Sequence, residues 1–210
     1  MRSLLMLLGL AAFGAQAAIP DYAGPIPAST ASGEATAVFA GGCFWGVDAV
    51  FKHVKGVKNV VSGYSGGSAA TAKYMLVGTG ATGHAESVKV TYDPSKVRYA
   101  ELLKVFFSVA HDPTQLDRQG PDVGTQYRSA IFYANQQQKE IAQRYIAQLD
   151  QAKAFGKPIV TQVVALDKFY PAEDYHQNYL ALHPQQPYIV YNDLPKLAEL
   201  KKEFPAWYRP

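Results

Sequence analysis

The short run Ala35-Thr36-Ala37-Val38-Phe39-Ala40 is followed, a few residues on, by Val47, Val50, Phe51 and Val54 at helical spacing, ending at Gly56. The first pattern is that of a buried strand and the second that of one apolar helix face. The chain must therefore turn from strand to helix within Gly41-Gly42-Cys43-Phe44-Trp45-Gly46, and this turn carries the only cysteine of the 210 residues. Glycines on both sides give the thiol room, and a helix N-terminus lies beneath it. That setting is expected to pull the thiol from its free pKa of about 8.5 toward neutrality and make a nucleophilic thiolate. From spacing alone, Phe44 and Trp45 serve either as a pocket wall or as core.

Val57 to Val61 returns as a strand, which makes a strand-helix-strand opening, and Gly63-Tyr64-Ser65-Gly66-Gly67 reads as a glycine-rich loop. Ser87 to Tyr92 alternates as a half-buried strand does. Leu102, Leu103, Phe106, Phe107 and Ala110 share one face of a helix over Tyr99 to Ala110, closed by His111-Asp112-Pro113. A long polar loop from Pro113 to Gln126 leads to a strand at Arg128 to Ala134. Asn135 then caps a long helix marked by Ile141, Tyr145, Ile146 and Leu149. A strand at Ile159 to Leu166, a short helix at Glu173 to Leu182 and a terminal helix at Leu194 to Phe204 complete the chain. The expected fold is α+β, a two-layer sandwich with helices packed on a mixed β-sheet around a ferredoxin-like core.

At the N-terminus, Arg2, the apolar Leu4 to Phe13 and the small-x-small Ala15-Gln16-Ala17 have the form of an export signal, residues 1–17. Residues 18–33, rich in Pro, Ala, Gly and Ser without periodicity, read as a flexible leader with nothing to bury. Residues 34–210 are then a single catalytic domain, and the 48% hydrophobic content suffices for its core. The expected location is outside the cytoplasm, in a bacterial periplasm. A net charge of +3 with Lys and Arg dispersed argues for neither nucleic acid nor a membrane surface once the signal is cleaved, and a monomer is expected. A lone cysteine cannot form an internal disulfide, so in an oxidising compartment it is either buried and inert or kept for its reactivity.

Gly78-Thr79-Gly80-Ala81-Thr82-Gly83 matches the dinucleotide fingerprint G-x-G-x-x-G, but an alternating strand follows where the fingerprint needs a helix. His84-Ala85-Glu86 resembles half of a zinc deaminase signature and lacks the paired cysteines that would complete it. No metal ligand set is assigned to His84, His111, His176 or His183. Glu86, at a loop-to-strand boundary, remains as a carboxyl that burial could keep protonated for use as a general acid. The loop Gly120 to Arg128 adds Asp122 and Tyr127, and the earlier stretch adds Tyr64 and Tyr74.

Six segments, in order, resemble the A-type peptide methionine sulfoxide reductase family: Gly42 to Gly46, Gly63 to Gly67, Thr82 to Glu86, His111 to Pro113, Gly124 to Ser129 and Ala172 to Gln177. The resemblance implies that Cys43 attacks the sulfoxide sulfur and that Phe44 and Trp45 enclose the S-methyl group. It further implies that Glu86 protonates the oxygen, that Tyr74 and Tyr127 hold that oxygen, and that Asp122 positions a water and the substrate backbone. Oxidised proteins, peptides and free methionine sulfoxide are the implied substrates, with preference for the S epimer at sulfur and no bound cofactor.

Many relatives carry further cysteines in a glycine-rich tail. The tail Pro184 to Pro210 has none, so an external thiol must regenerate the enzyme: a thioredoxin-like protein, a glutaredoxin or a small dithiol. Two other readings compete. One is a thiol hydrolase pairing Cys43 with His176 or His84, and the other is a redox-sensing module that binds Met-containing peptides.

Overall fold

The turn from strand to helix at Cys43 is present in a computed structural model that describes residues 18–26 and 33–210; the expected export signal lies outside the described residues. The elements run β1 (Ala35–Gly41), α1 (Phe44–Lys52), β2 (Val57–Ser65), α2 (Tyr74–Val77), β3 (Ala85–Tyr92), α3 (Tyr99–Val105), β4 (Arg118–Gln119) and β5 (Asp122–Val123). They continue with β6 (Ser129–Tyr133), α4 (Gln136–Gln151), β7 (Gln162–Ala165), β8 (Phe169–Pro171), α5 (Tyr179–Leu182) and α6 (Leu194–Glu203).

Six strands form one mixed sheet in the order β7-β6-β1-β3-β2-β8, with β6 and β7 parallel and the other neighbours antiparallel. Because β1 and β2 both pair antiparallel with β3, they run parallel to each other, and α1 is the crossover between them. The central order β6-β1-β3-β2, connected through α1 and α3, is the split strand-helix-strand arrangement of a ferredoxin-like core. The α+β sandwich expected from the pattern is therefore the one formed.

Successive strand residues face opposite sides of a sheet, which explains the two sequence patterns. In β1, Ala37 and Phe39 enter the main core with Val47, Val50, Phe51, Leu102, Leu103 and Ile141 from the helices. Val38 and Ala40 enter a smaller cluster on the other face with Ala130 and Phe132, packed by Val164, Leu166 and Phe169. Burial on both faces makes β1 an unbroken apolar run. In β3, Val88 and Val90 face the main core while Lys89 and Thr91 stay partly exposed, hence the alternation.

Several boundaries differ from expectation. Gly63 to Ser65 is not loop but the end of β2, because the three-residue edge strand β8 pairs with it. The helix begun at Tyr99 changes at Phe106 to a wider π-type turn that ends at Ala110. The long polar loop contains the β4–β5 hairpin and a 3₁₀ turn at Thr125–Tyr127. Glu173 to Leu182 is split into a 3₁₀ turn, Asp174–His176, and α5, with Asn178 between them at φ 56°. Asn135 caps α4 as expected, its side chain accepting the Gln138 N–H.

Residues 18–26 of the leader also depart from expectation. Ile19, only 5% exposed, joins the main core; Tyr22 packs edge-on against Tyr145, and the Tyr145 hydroxyl donates to the Pro20 carbonyl at 2.7 Å. Gln148 accepts the Ala23 N–H at 2.8 Å and donates to the Asp21 carbonyl at 2.6 Å. One Ile and one Tyr have no periodicity to detect, yet the main core takes in Ile19 and Tyr145 of α4 meets Tyr22. Substituting Ile19→Ala should cost about 2 kcal/mol by loss of buried apolar surface. Thermal unfolding would read this as a fall of roughly 4–8 °C in Tm, whereas an unchanged Tm would mean that the segment is not docked.

Candidate active site

The backbone reaches Cys43 through two glycines that no larger residue could replace without displacement. Gly42 has φ 88°, and a Cβ there would lie 2.5 Å from the Cβ of Gln119; a Cβ on Gly41 would lie 3.0 Å from the His111 ring. Cys43 is the N-cap residue of α1 and is 8% exposed. Contrary to the expected activation, its thiol is held well above its ordinary pKa. Burial contributes most, followed by the Glu86 and Asp193 carboxyls, and the Trp45 backbone N–H and the Lys196 ammonium oppose them less strongly. A helix N-terminus stabilises a thiolate only where the thiolate is not also desolvated beside carboxylates.

Glu86 lies on the helix-facing side of β3, in phase with Val88 and Val90, and this alternation aims it at the first turn of α1. It is 2% exposed, and its Oε2 accepts the backbone N–H of Phe44 at 3.0 Å. The acid is thus tied to the residue next to the thiol. Burial pushes its pKa up to about 8; the Phe44 N–H works against this, and the Asp122 and Asp193 charges add to it. At neutral pH the carboxyl is mostly protonated.

Three tyrosines close the site. Tyr74 starts α2 and is pushed up to about 12, chiefly by burial and then by Glu86 and Cys43. Tyr127, from the 3₁₀ turn, is raised by burial, Glu86 and Asp122, with Tyr74 and Cys43 also contributing. Tyr188, from the C-terminal segment, is raised by burial and then by Cys43, and its hydroxyl donates to Asp122 on β5. All three phenols are neutral donors near the thiol. Glu173 holds the frame by accepting the Tyr64 hydroxyl at 2.8 Å and the Tyr74 N–H at 2.9 Å.

The aromatic residues beside Cys43 divide in role. Phe44 is fully packed between Tyr64, Tyr74 and His176, with ring centroids at 5.9, 6.4 and 5.1 Å. Trp45 is half-buried: it stacks on Tyr179 at 3.8 Å, meets Tyr188 edge-on, and donates its indole N–H to Nδ1 of His176 at 3.1 Å. Among the described residues no histidine is hydrogen-bonded to the thiol. His84 accepts the Gly67 N–H and faces the Ser68 carbonyl, and His111 lies between the Phe106 carbonyl and the Ser129 hydroxyl. The thiol-hydrolase reading therefore lacks its base.

Cys43, Phe44, Trp45, Tyr74, Glu86, Asp122 and Tyr127 are thus brought together around one site. Sequence reasoning did not assign Tyr188, Tyr179, Glu173, Asp193 or Lys196, and gave His176 only the part of a candidate base in the hydrolase reading. Glu173 lies in a segment noted for its resemblance but given no role, and nothing local distinguishes Tyr179 in the short helix or Tyr188, Asp193 and Lys196 in the tail. The assembled groups are a thiol, a protonated carboxyl and phenol donors beside an aromatic wall. They suit attack by sulfur on an atom whose oxygen is protonated as the bond forms.

Residues 35–207 match the family model for peptide methionine sulfoxide reductase. A Mesorhizobium japonicum protein named peptide methionine sulfoxide reductase MsrA 2 is 65% identical, covering 85% of this chain and 91% of its own. A Synechocystis protein of the same name is 55% identical over 84% and 82% of the two chains. Among solved structures, methionine sulfoxide reductase A of Corynebacterium diphtheriae is 38% identical with a TM-score of 0.65, covering 75% of this chain and 78% of its own. Reduced Mxr1 from Saccharomyces cerevisiae is 31% identical with a TM-score of 0.67, over 73% and 87%. From β1 to the end of α6, in sequence and in fold, the chain belongs to the peptide methionine sulfoxide reductase family.

Proposed function

We propose that the protein reduces the S epimer of methionine sulfoxide, in proteins, peptides and the free amino acid, through a sulfenic acid on Cys43, and so repairs oxidative damage. One observation carries the reading: the 3.0 Å hydrogen bond from the Phe44 N–H that fixes a protonated Glu86 beside the thiol. A sulfoxide is a poor electrophile until its oxygen is protonated or hydrogen-bonded, and Glu86, Tyr74 and Tyr127 provide both. Trp45 forms the wall and Phe44 the floor of the methyl slot. Asp122, held by Tyr188, positions water and the substrate backbone.

The reaction balances without a cofactor. The Cys43 sulfur attacks the sulfoxide sulfur as Glu86 lends a proton to the oxygen, and the thiol's own proton makes good that loan. Oxygen passes to Cys43, which becomes a sulfenic acid as the substrate sulfur gains two electrons and leaves as a thioether. An external thiol then condenses with the sulfenic acid, releasing water and forming a mixed disulfide, and a second thiol frees Cys43. The cysteine-free tail supports this route, with a thioredoxin-like protein, a glutaredoxin or a small dithiol as donor. The N-terminal pattern supports action in the periplasm, where exposed methionines meet oxidants first.

Three outcomes are expected. Cys43→Ser abolishes turnover with dithiothreitol, and mass spectrometry of wild type after one turnover without reductant finds one oxygen added to Cys43 or a mixed adduct; a reduced Cys43 beside stoichiometric product contradicts the mechanism. Because Glu86 donates only when protonated, kcat falls as pH rises through about 8. Glu86→Gln lowers kcat about a hundredfold, removes that alkaline limb and leaves a residual rate that rises in acid.

The same carboxyl affects stability. A folded pKa of about 8, above the ordinary 4.5, means that the folded state holds a proton the unfolded state has lost, so Glu86 costs stability progressively from pH 4.5 to 8 and no further above. The Tm difference between Glu86→Gln and wild type should therefore widen over that range and then level; a difference independent of pH would show that the carboxyl is not desolvated.

A further inference from the structure

Tyr188 is followed by a π-type turn, Ile189–Asp193, that delivers Asp193 to the start of α6. The Asp193 side chain is 0% exposed; its Oδ1 pairs with Nζ of Lys196 at 3.2 Å, and its Oδ2 has no hydrogen-bond partner. The pair lies directly against α1. A Cβ on Gly46 would sit 2.1 Å from Asp193 Oδ1 and 2.8 Å from Lys196 Nζ, so only a glycine lets both charges approach the backbone there.

Gly46 is three residues after Cys43, less than one helical turn. On the other side of Cys43, Gly41 packs against the His111 ring, and the Lys196 ammonium is near enough to help hold that ring's pKa down at about 4, after burial. The ammonium thus lies against the helix just after the thiol, at Gly46, and its charge reaches His111, which packs against Gly41 just before it. Burying an ion pair is costly, and one lone oxygen left unpaired adds to the cost, so apolar packing would make a more stable joint here. The charges are explained if they act on the sulfur.

We propose that Asp193 and Lys196 are a positioning pair whose two charges act with opposite sign on the Cys43 sulfur through the first turn of α1, Lys196 favouring the thiolate and Asp193 opposing it. The inference rests on Cys43 being the reacting sulfur and deepens that reading: it assigns the cysteine-free tail a part in setting when the thiol ionises. The other titratable groups around the thiol are Glu86 from β3, Asp122 from β5, Tyr74 from α2, Tyr127, Tyr188 and His111. The burial and charge balance already described for Cys43, with Asp193 raising and Lys196 lowering its pKa, accord with these signs.

The test is the pH profile of Cys43 alkylation by iodoacetamide, which requires no reductase turnover, in wild type, Asp193→Asn and the double variant Asp193→Asn with Lys196→Met. Neither variant leaves a buried carboxylate unpaired, and circular dichroism confirms that each is folded. Removing the negative charge should lower the alkylation midpoint by about one pH unit, giving roughly tenfold more thiolate at a given pH below it. Removing the positive charge in that background should raise the midpoint by a similar amount. No movement in either step, or movement in the same direction in both, overturns the proposal, because loss of a structural contact has no reason to reverse sign. A wild-type thiol that alkylates normally while reducing no sulfoxide would instead sink the reductase reading and leave the pair's effect measurable.

Discussion

The hydrogen bond from the Phe44 N–H to Glu86 joins the first turn of α1 to β3, and the geometry of the site follows from it. One carboxyl meets one of the helix's otherwise unpaired amides, so the acid and the N-cap cysteine cannot drift apart. The interaction favours the ionised carboxylate, yet burial overrides it and leaves the acid protonated. Position and protonation state thus come from different sources, the amide and the desolvation. A carboxyl in the same place but open to water would be an ordinary carboxylate with no proton to give.

Desolvation also governs the thiol, with the opposite consequence for reactivity. It keeps Cys43 protonated at rest, beside two carboxyls and one ammonium. A resting thiol is less exposed to stray oxidants than a thiolate is, since oxidation follows thiolate character. In the proposed reaction the chemistry depends on the substrate, because a sulfoxide oxygen placed among Glu86, Tyr74 and Tyr127 would bring its own demand for a proton.

The C-terminal segment is the part of the molecule whose role is least apparent from its composition. It has no cysteine to resolve the sulfenic acid, but it supplies Tyr188 to Asp122, an edge contact to Trp45, and the Asp193–Lys196 pair under Gly46. The tail contributes hydrogen bonds and charge to the site. The proposed regeneration accordingly relies on an external thiol.

Local pattern was enough to place β1, α1, β3 and α4, because each has a continuous or periodic apolar signal of the length of one element. The six family-like segments were enough to collect Cys43, Glu86 and Tyr127, and the resemblance that they carry added Tyr74 and Asp122 from the stretches between them. The edge strand β8, the docking of Ile19 and the break at Asn178 were decided by tertiary structure, since each depends on a partner more than a hundred residues away or on a single backbone torsion. The ionisation of Cys43 was decided there as well. A helix N-terminus is visible in sequence and argues for a thiolate, whereas the burial and the carboxyls that outweigh it come from β3 and the tail and exist only once the chain has folded.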